Sequence, residues 1–466
     1  MIQEAEIRSP ELAGVTGITA DSRAVRPGFL FAALPGVKAD GRRFIPEAVA
    51  RGAVAVLAPE GTGWPPGVPP RRLICAAAPR ARLAELAVEL AGKMPERLVA
   101  VTGTNGKTST VDFLRQIFAL AGRKAASLGT LGVVAPGRPM TGSLTTPDPV
   151  TLADTLAGLA KEGVNDVAME ASSHGIEQSR LDGLRFAAAG FTNLTRDHLD
   201  YHGTMEAYAA AKLRLFEMLV RPGGAVRAMA DMDAEVFARL RKIAAARGLD
   251  FAPVAVERVA PRPDGQVVSV AGLEVELHLP GRFQADNATL AASLAEAMGV
   301  TNAFRLLPQL RGVRGRLERA WVAPSGAAAY VDYAHTPDAI ARVLSALRPH
   351  ASGKLHIVFG AGGDRDAGKR PLMGAAAANG ADVVIVTDDN PRSEEPATIR
   401  AAILAACPGG REIGDRRTAI AAALDGLAPG DVLVVAGKGH EQGQIVKGEV
   451  IPFDDVSVVR ELAGAA

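Results

Sequence analysis

The fold of this chain is decided by residues 98–120, which read LVAVTGTNGKTSTVDFLRQIFAL. The apolar run Leu98–Val101 predicts a buried strand, because strands enclosed in a parallel sheet are apolar on both faces. The polar turn that follows leads into a helix, which we predict over Ser109–Leu120. A strand, a short glycine-containing turn and a helix in this order predict an α/β fold with a ligand at the end of the strand.

The turn itself has the composition of a phosphate-binding loop. Glycines let backbone N–H groups close on phosphate oxygens, and the helix N-terminus contributes its positive end. Lys107 can reach terminal phosphates, and Thr108 can bind Mg²⁺. Gly103 lies three residues before Gly106, whereas the standard loop separates these glycines by five. A plain glycine turn is therefore the alternative to a phosphate site.

The rest of the chain repeats an alternation of short apolar runs and alanine-rich helical stretches. Good examples of the apolar runs are Val383–Val386 and Val432–Val435. Such alternation is typical of βαβ units and parallel sheets. At 466 residues the chain exceeds what one hydrophobic core usually supports. We therefore predict three α/β domains, which comprise residues 1–94, 95–314 and 315–466.

Charge and composition exclude several classes of protein. Lys and Arg total 52 against 51 for Asp and Glu, so no global charge attracts nucleic acid or an anionic membrane. The N-terminus carries acids where a signal peptide carries bases, and no apolar run reaches the roughly 18 residues of a membrane span. Cys75 and Cys407 lack the spacing of zinc ligands, and we expect both to be buried. We expect a cytoplasmic globular protein.

Three polar residues of the central segment have both a functional and a structural interpretation. Glu170 ends an apolar strand, where a carboxylate can bind a metal or act as a cap or surface acid. His198 belongs to the dense stretch NLTRDHLDYHG at 193–203, in which His202 is more simply a structural group. Lys212 falls on the apolar stripe of a helix that we predict over Met205–Val220. An ammonium there is costly unless it is paired, neutralised or extended to the surface.

The shortened loop TGTNGKT at 102–108 resembles the ATP-binding loop of the Mur ligase and folylpolyglutamate synthase superfamily. Enzymes of this family phosphorylate a carboxylate with ATP and let an amine displace the phosphate. The resemblance extends over all three predicted domains. It implies a UDP-binding N-terminal domain, a central P-loop-type ATPase domain with a mostly parallel sheet and a Rossmann-like C-terminal domain, in a monomer. The ATP contacts that it implies are Gly103, Thr104, Asn105, Gly106, Lys107, Thr108, Asn287, Arg316, Asp332 and His335.

The segments EASSHG at 170–175 and NLTRDHLDYHG at 193–203 carry the resemblance into the catalytic site. The catalytic residues that it implies are Lys107, Glu170, His198 and Lys212, with Thr108, Glu170, His198 and Lys212 around Mg²⁺. The family position that Lys212 matches is carbamylated by CO₂ to N6-carboxylysine, which turns a cation into an anion and would remove the anomaly of a buried ammonium.

The contacts with the UDP substrate that the resemblance implies are Ser22, Thr145, Thr146, Ser172, Gln178 and Arg180. The stretch TTPD at 145–148 by itself predicts a turn into a helix, with threonine in the capping region and proline at the helix start.

The C-terminal stretch DDNPRSEEP at 388–396 bears on the choice of amino acid. Arginine binds a carboxylate through two parallel hydrogen bonds, and lysine as a substrate would offer no distal carboxylate to receive them. Residues 389–392 match the motif of the diaminopimelate-adding Mur ligases. The diaminopimelate contacts that the resemblance implies are Arg365, Asp389, Asn390, Pro391, Arg392, Gly437 and Glu441.

The resemblance therefore implies an ATP-dependent ligase of peptidoglycan precursor synthesis. Such an enzyme adds meso-diaminopimelate to UDP-N-acetylmuramoyl-L-alanyl-D-glutamate through an acyl phosphate. One alternative is another amide ligase of the superfamily, such as a lysine-adding enzyme, MurF or folylpolyglutamate synthase. Arg392 argues against the lysine-adding enzyme, and the diaminopimelate loop together with residues 19–33, which resemble the UDP-binding entry of the family, argues against the others. The other is a non-catalytic nucleotide-sugar-binding protein, against which the presence of Lys107 and Lys212 argues.

Overall fold

The computed structural model describes residues 9–36, 39–137, 145–262 and 265–464. The chain forms two compact units. The first comprises Met1–Val254 and Ser293–Thr301, and the second comprises Ala255–Ala292 and Asn302–Ala466. Within the described residues, no helix is long and apolar enough to cross a membrane.

The first unit opens with a small parallel α/β sheet. Its elements are β1 (Gly17–Thr19), β2 (Phe29–Ala32), α1 (Ile45–Ala50), β3 (Ala55–Pro59), β4 (Arg72–Ala76) and α2 (Pro79–Ala91). The four strands lie in the order β1-β2-β3-β4, and every pairing is parallel. Leu30, Leu57 and Leu86 are among the buried side chains that join the sheet to α2.

A larger sheet follows in the same unit. Its elements are β5 (Arg97–Thr102), α3 (Lys107–Leu120), β6 (Ala125–Gly129), β7 (Gly132–Val134), α4 (Pro149–Lys161), β8 (Asp166–Glu170), α5 (Ser173–Glu177), β9 (Phe186–Phe191), α6 (Leu199–His202), α7 (Met205–Arg214), β10 (Val220–Met229), α8 (Ala234–Arg247) and β11 (Asp250–Val254). The strand order is β11-β10-β9-β5-β8-β6-β7, and only the pairing of β6 with β7 is antiparallel.

The second unit begins with a three-stranded antiparallel meander and the larger part of a helix, up to Ala292. These are β12 (Arg258–Arg262), β13 (Gly265–Val270), β14 (Leu273–Leu277) and α9 (Arg282–Ala297). The elements of the C-terminal sheet then follow as β15 (Glu318–Val322), β16 (Ala328–Asp332), α10 (Pro337–Leu347), β17 (Leu355–Phe359), α11 (Lys369–Gly380), β18 (Val383–Val386), α12 (Pro396–Leu404), β19 (Arg411–Glu412), α13 (Arg416–Asp425) and β20 (Val432–Ala436). A hairpin and a helix come last, namely β21 (Gly443–Val446), β22 (Glu449–Pro452) and α14 (Asp455–Leu462).

The C-terminal sheet has the strand order β15-β16-β20-β17-β18-β19. Only the pairing of β15 with β16 is antiparallel, and the other strands run parallel. Both predicted apolar runs, Val383–Val386 and Val432–Val435, lie in strands of this sheet. The α/β class predicted from their alternation with helices is confirmed.

The strand order brings the predicted phosphate-binding loop and Glu170 to one edge of the central sheet. β5 lies between β8 and β9, and Val101 pairs with Glu170 in parallel register. Because the carboxyl ends of parallel strands meet at the same edge, the loop after β5 and the end of β8 are neighbours.

Three local predictions of helix ends and caps differ from the structure. The helix predicted over Met205–Val220 ends at Arg214, and a single π-helical turn, Leu215–Leu219, leads directly into β10. The helix after the loop begins at Lys107 rather than Ser109. Asp148, not the preceding threonines, caps α4, because its side chain accepts from two backbone N–H groups, and an aspartate is a stronger N-cap.

The prediction for the two cysteines is wrong in one case. Cys407 is buried, but Cys75 is exposed. Cys75 lies on β4, the edge strand of the small sheet, where alternate side chains point away from the core.

Candidate active site

The loop between β5 and α3 adopts a conformation that only glycine permits at its first position. Gly103 has a φ of +142°, and a Cβ there would lie 1.9 Å from Thr192 Oγ1. Gly106, at the start of α3, has a φ of +85°. Lys107 Nζ donates to the carbonyls of Gly103 and Thr104, both at 2.8 Å. The lysine therefore folds over the loop whose backbone would receive a phosphate.

A second segment, after β9, holds the loop in place. Thr104 N donates to Asn193 O at 2.8 Å, and Asn105 N donates to Asn193 Oδ1 at 3.0 Å. Thr104 Oγ1 donates to the carbonyl of Thr195 at 3.1 Å. Thr108 is buried in the first turn of α3. The first residues of the NLTRDHLDYHG stretch therefore support the phosphate-binding loop, and His198 follows them in the chain.

Lys212 is buried as the helical stripe predicted, with 1% of its surface exposed. Its Nζ donates to the carbonyl of Gly103 at 2.8 Å, the same carbonyl that receives Lys107, and lies 4.3 Å from the centre of the Tyr208 ring. Burial, and then the charge of Lys107, lower the pKa of Lys212 well below its ordinary value, although Asp197 opposes the shift. The ammonium form is thereby disfavoured, which makes the amine available for reaction.

Glu170 is buried at the end of β8 and faces the segment after β6. Its Oε1 accepts from the backbone N–H of Thr130 at 2.8 Å, and its Oε2 accepts from the hydroxyl of Thr130 at 3.3 Å. That hydroxyl also lies 3.1 Å from Thr145 Oγ1. A Cβ at Gly129 would lie 2.1 Å from Glu170 Oε1, so glycine there leaves room for the carboxylate. The interpretation of Glu170 as a surface acid is wrong.

Five of the six residues predicted for the UDP substrate belong to a connected hydrogen-bond network. Thr146 Oγ1 lies 3.0 Å from Ser172 Oγ, and Arg180 Nη1 donates to the carbonyl of Thr146 at 2.6 Å. Arg180 Nη2 also donates to Gln178 Oε1 at 2.6 Å. Thr145 joins the network on the side of Glu170 through the hydroxyl of Thr130. Hydrogen bonds therefore link the buried Thr146 to Gln178 and Arg180.

A cleft of ≈ 570 Å³ opens beside this network within the first unit. Its polar lining is Thr19, Asp21, Arg80, Asp148, Thr151, Gln178 and Arg180. Ser22 does not line the cleft. Its hydroxyl donates to Glu47 Oε2 at 2.8 Å, and the side chain is buried. Sequence reasoning missed Arg80, because a single arginine at the start of α2 carries no motif.

His198 lies in a group of aromatic and histidine side chains. It has a left-handed backbone, with a φ of 52°, and its ring lies 4.9 Å from that of His174. His202 is held by Glu177 at 2.9 Å and Ser173 at 3.0 Å, as its structural interpretation predicts. Burial lowers the pKa of His202. His198 is the more exposed of the two, and its ring lies 6.1 Å from that of Tyr208.

The donor set of the first unit fits Mg²⁺ with the help of a bound phosphate. In the part of the chain that the structure describes, no three His, Cys, Asp or Glu side chains are arranged to hold a metal ion. Mg²⁺ is usually bound by one or two carboxylates together with substrate phosphates and water. The Glu170 carboxylate and the Thr108 hydroxyl, at the ends of neighbouring structural elements, are oxygen donors of that kind.

The predicted nucleotide residues of the second unit surround the end of β16. Arg316 lies over the Tyr333 ring, with 5.1 Å between Cζ and the ring centre. Asp332 accepts from the backbone N–H groups of Leu317 and Ala334, both at 2.8 Å. Burial raises the pKa of Asp332, while Arg316 and these N–H groups oppose the shift.

His335 and Asn287 are the other two residues of this unit that were predicted to contact the nucleotide. His335 Nδ1 lies 2.8 Å from the Tyr333 carbonyl, and the two rings are 4.6 Å apart. Asn287 is buried on α9, one turn after Gln284, whose amide donates to the Arg316 carbonyl at 2.9 Å. The Nε of Arg316 is buried without a hydrogen-bond partner among the described residues.

Two arginines flank the glycine turn that follows β17. A Cβ at Gly362 would lie 2.7 Å from Arg392 Nη1 and 3.8 Å from Arg365 Cγ. Arg392 Nη1 donates to the carbonyl of Gly363 at 2.7 Å, and Arg392 has a φ of 53°. The hairpin β21–β22 holds the arginine from the other side, because Arg392 N donates to Ile445 O at 3.0 Å. The loops that contain Arg365 and Arg392 therefore meet.

The other predicted amino-acid contacts also come together. Asn390 Nδ2 donates to Glu441 Oε2 at 2.9 Å. A Cβ at Gly437 would lie 2.8 Å from Asp389 Oδ2, so glycine is needed for the close approach. Pro391, the residue after Asn390, is also buried. The structure adds Lys438, which is fully buried among Asp389, Asn390 and Glu441. The sequence analysis gave this lysine no role.

Three profiles of the Mur ligases match the chain. The Mur ligase family catalytic domain matches residues 14–91, the Mur ligase middle domain matches residues 101–295, and the Mur ligase glutamate ligase domain matches residues 315–439.

Curated relatives match almost the whole chain. A UDP-N-acetylmuramoyl-L-alanyl-D-glutamate–2,6-diaminopimelate ligase of Caulobacter vibrioides is 56% identical over 95% of this chain and 94% of its own length. The protein of the same name from Rhizobium meliloti is 52% identical over 97% and 94%.

Solved structures are similar over the same extent. A structure of UDP-N-acetylmuramoyl-L-alanyl-D-glutamate–2,6-diaminopimelate ligase has 34% identity and a TM-score of 0.73, with 97% of this chain and 95% of that chain covered. The MurF ligase of Thermotoga maritima in complex with ADP shares the fold at 18% identity and a TM-score of 0.60, with 97% of both chains covered.

Proposed function

This chain belongs to the Mur ligase family, and from that premise we propose that it joins meso-diaminopimelate to UDP-N-acetylmuramoyl-L-alanyl-D-glutamate in peptidoglycan precursor synthesis. The reaction uses ATP and forms an amide bond. Relatives that carry this activity in their names match the chain at more than half identity over nearly its full length.

One observation carries the choice of amino acid. The arginine pair Arg365 and Arg392 faces one side of a turn, while Asn390 and Glu441 meet through a hydrogen bond of 2.9 Å close by. The distal centre of diaminopimelate bears a carboxylate and an ammonium, which need a cationic and an anionic partner, respectively. L-Lysine lacks the distal carboxylate and would leave the arginines without a partner. Asp389 Oδ1, which is buried and has no hydrogen bond among the described residues, adds an acceptor for the ammonium.

The nucleotide is assigned to two sets of residues. In the first unit, the backbone of Gly103–Gly106 and the Lys107 ammonium bind the phosphates of ATP. In the second, Arg316 stacks on the adenine, Asp332 binds the ribose hydroxyls, and His335 approaches the phosphates. Asn287 completes this set. The unpartnered Nε of Arg316 supports a ligand at that residue.

The chemistry proceeds by phosphoryl transfer and aminolysis. The D-glutamate carboxylate attacks the γ-phosphate of ATP, and ADP leaves, which produces an acyl phosphate. The amine of the L-centre of diaminopimelate then attacks the acyl carbon, and the tetrahedral intermediate releases phosphate. Lys107 stabilises the charge that develops on the transferred phosphoryl group, and catalysis comes chiefly from positioning and charge neutralisation.

Mg²⁺ would be held by Thr108, Glu170, His198 and a carbamylated Lys212. When bound, such an ion neutralises phosphate charge. The burial of Lys212 and the lowered pKa of its amine support carbamylation, because the free amine is the form that reacts with CO₂. The product is an anionic group, which suits a cation site.

The UDP substrate is assigned to the cleft of the first unit. Thr145, Thr146, Ser172, Gln178 and Arg180 would bind its peptide part through the network described above. Ser22 would contact the uridine diphosphate through its backbone, because its hydroxyl already donates to Glu47.

The proposal is tested by measuring phosphate release with ATP, Mg²⁺ and UDP-N-acetylmuramoyl-L-alanyl-D-glutamate. Meso-diaminopimelate and L-lysine are compared as amines, and the product mass is determined. We expect turnover with diaminopimelate alone. A preference for lysine would overturn the role of Arg392 and retain the ligase, whereas no phosphate release with either amine would favour a nucleotide-sugar-binding protein.

We further propose that the chain acts as a cytoplasmic monomer of three domains, residues 1–94, 95–314 and 315–466. The three largest sheets, of four, seven and six strands, lie in separate segments and support this division. Limited proteolysis should cut first near residues 95 and 315. Analytical ultracentrifugation tests whether the chain is a monomer, and cell fractionation tests whether it is cytoplasmic.

A further inference from the structure

We propose that Lys438 is a positioning residue of the amino-acid pocket, which orients Asn390 and Glu441 from behind the surface that the ligand contacts. The inference rests on the proposed function, because it concerns the pocket to which diaminopimelate is assigned. Lys438 follows β20 in the turn that also contains Gly437 and Glu441.

The Lys438 ammonium has three polar neighbours. Its Nζ donates to Asn390 Oδ1 at 3.1 Å and lies 3.4 Å from Glu441 Oε2 and 3.6 Å from Asp389 Oδ1. The Lys438 side chain is 0% exposed, whereas that of Glu441 is 36% exposed. A ligand can therefore reach Glu441 but not Lys438.

Lys438 determines which way the Asn390 amide faces. Asn390 Oδ1 accepts from Lys438 and from the backbone N–H of Ile445, at 3.1 and 2.9 Å. A flipped amide would turn its NH₂ group toward these two donors, which is unfavourable for both. Asn390 Nδ2 is thus directed at Glu441 Oε2, 2.9 Å away. Removal of the ammonium leaves a single backbone donor to maintain this orientation.

Lys438 also balances the charge of the pocket. Asp389 and Glu441 are two carboxylates against one ammonium in this group of three side chains. One negative charge is left over, which suits a ligand ammonium. Without Lys438, the buried Asp389 and the partly exposed Glu441 would lose the ammonium that lies within 3.6 Å of both, and Glu441 would turn toward water. Its position relative to the arginine pair would then change.

The test compares Lys438→Met with wild type in the complete enzyme. We expect the KM for meso-diaminopimelate to rise about tenfold or more, as for loss of a charged hydrogen bond. The KM values for ATP and for the UDP substrate should stay within about twofold, because no assigned contact to them changes. Lys354→Met is the matched control, because Lys354 is exposed on the same unit. Lys438→Gln retains a donor, and it should raise the diaminopimelate KM less.

A double-variant cycle covers the case in which Lys438→Met folds poorly. Lys438→Met/Glu441→Gln removes one carboxylate together with the ammonium, so the leftover charge of the group is unchanged. If Lys438 acts through Glu441, the diaminopimelate KM of the double variant should be within about twofold of Glu441→Gln alone. Equal KM increases for all three substrates, or a diaminopimelate KM unchanged in folded Lys438→Met, would overturn the inference. Failure of the proposed function would appear instead as wild type without turnover on diaminopimelate.

Discussion

Lys212 and Lys438 are both buried, and their surroundings are opposite in charge. Lys212 meets one carbonyl oxygen at 2.8 Å and the face of Tyr208, and the charge of Lys107 acts against it. Lys438 meets two carboxylates and an amide oxygen within 3.6 Å. Burial alone therefore does not define the role of a lysine, because the groups around its nitrogen decide whether it remains a cation.

The difference assigns different chemistry to the two regions. A lysine without an anionic partner has a lowered pKa and can react as a free amine, which is what carbamylation requires. A lysine between carboxylates is a fixed charge that orients its neighbours. The same substitution should therefore have different consequences at the two positions.

The largest effect is expected for Lys212→Met on catalysis. Methionine has a similar length but cannot be carbamylated, so the anionic group proposed beside the phosphate loop is lost. We expect kcat to fall about 10³-fold, in the range found when one group that stabilises a transition state is removed. Phosphate-release assays measure it, with Lys242→Met on the surface of α8 as the control. Wild type should also lose activity in CO₂-free buffer and regain it on addition of bicarbonate. If Lys212→Met kept more than a tenth of the wild-type kcat, carbamylation would not be essential.

The same variant should be more stable than unmodified wild type. The pKa of Lys212 is lowered in the folded chain relative to its ordinary 10.5. Burial of the charged amine therefore lowers the free energy of unfolding. This loss of stability appears as the pH falls below the ordinary pKa and is complete below the lowered pKa. In CO₂-free buffer, the stability gain of Lys212→Met should increase as pH falls through that window. Urea unfolding at several pH values measures it, and a gain independent of pH would contradict the assigned cause.

The next effect is opposite in sign and concerns Lys438. Lys438→Met leaves Asp389 and Glu441 without their shared cation, and loss of one partner from a buried ion pair costs about 3 kcal/mol or more. The free energy of unfolding should fall by about that amount at neutral pH, as measured by urea denaturation. If both lysine-to-methionine variants moved stability in the same direction, the contrast between the two environments would be wrong.

A smaller effect is expected for Arg392→Lys, which keeps the charge but loses the planar fork. The KM for meso-diaminopimelate should rise about tenfold, while that for ATP stays unchanged. Lysine is used rather than alanine because it retains the charge and a long side chain at the left-handed backbone of Arg392. Arg342→Lys on α10, an exposed position, is the control. A parallel rise in the KM for ATP would assign Arg392 a general structural role.

The sequence predicted much of the fold because its signals are local. The apolar runs that became β5, β18 and β20, and the glycine turn at Gly103, depend only on neighbouring residues. The end of α7 was not predictable, because a π-helical turn and the start of β10 replace the last part of an uninterrupted apolar stripe. Tertiary packing, not helix propensity, sets that boundary.

The candidate site was predicted to the extent that its residues belong to motifs. Lys212 could be recognised from its apolar surroundings, but its contact with the Gly103 carbonyl joins residues far apart in sequence. Lys438 has no comparable signal, because it lies in a polar turn where a lysine normally extends into water. The pairing of Ser22 with Glu47 likewise depends on how α1 packs. Such long-range contacts are set by the folded structure.

The smallest expected effect tests how Tyr208 supports the phosphate loop next to Lys212. Tyr208→Phe keeps the ring that lies 4.3 Å from Lys212 Nζ and removes a hydroxyl that donates to Thr104 Oγ1 at 3.3 Å. Because that bond is long, the KM for ATP should rise only about twofold to threefold. Burial raises the pKa of Tyr208 to about 12, so the hydroxyl is neutral throughout the working range and the ratio of wild-type to variant KM should not change between about pH 7 and 9. Initial-rate measurements across that range decide the point. A ratio that changed with pH would mean that the hydroxyl acts on the neighbouring Lys212 amine, and the loop and the lysine would then be one coupled unit.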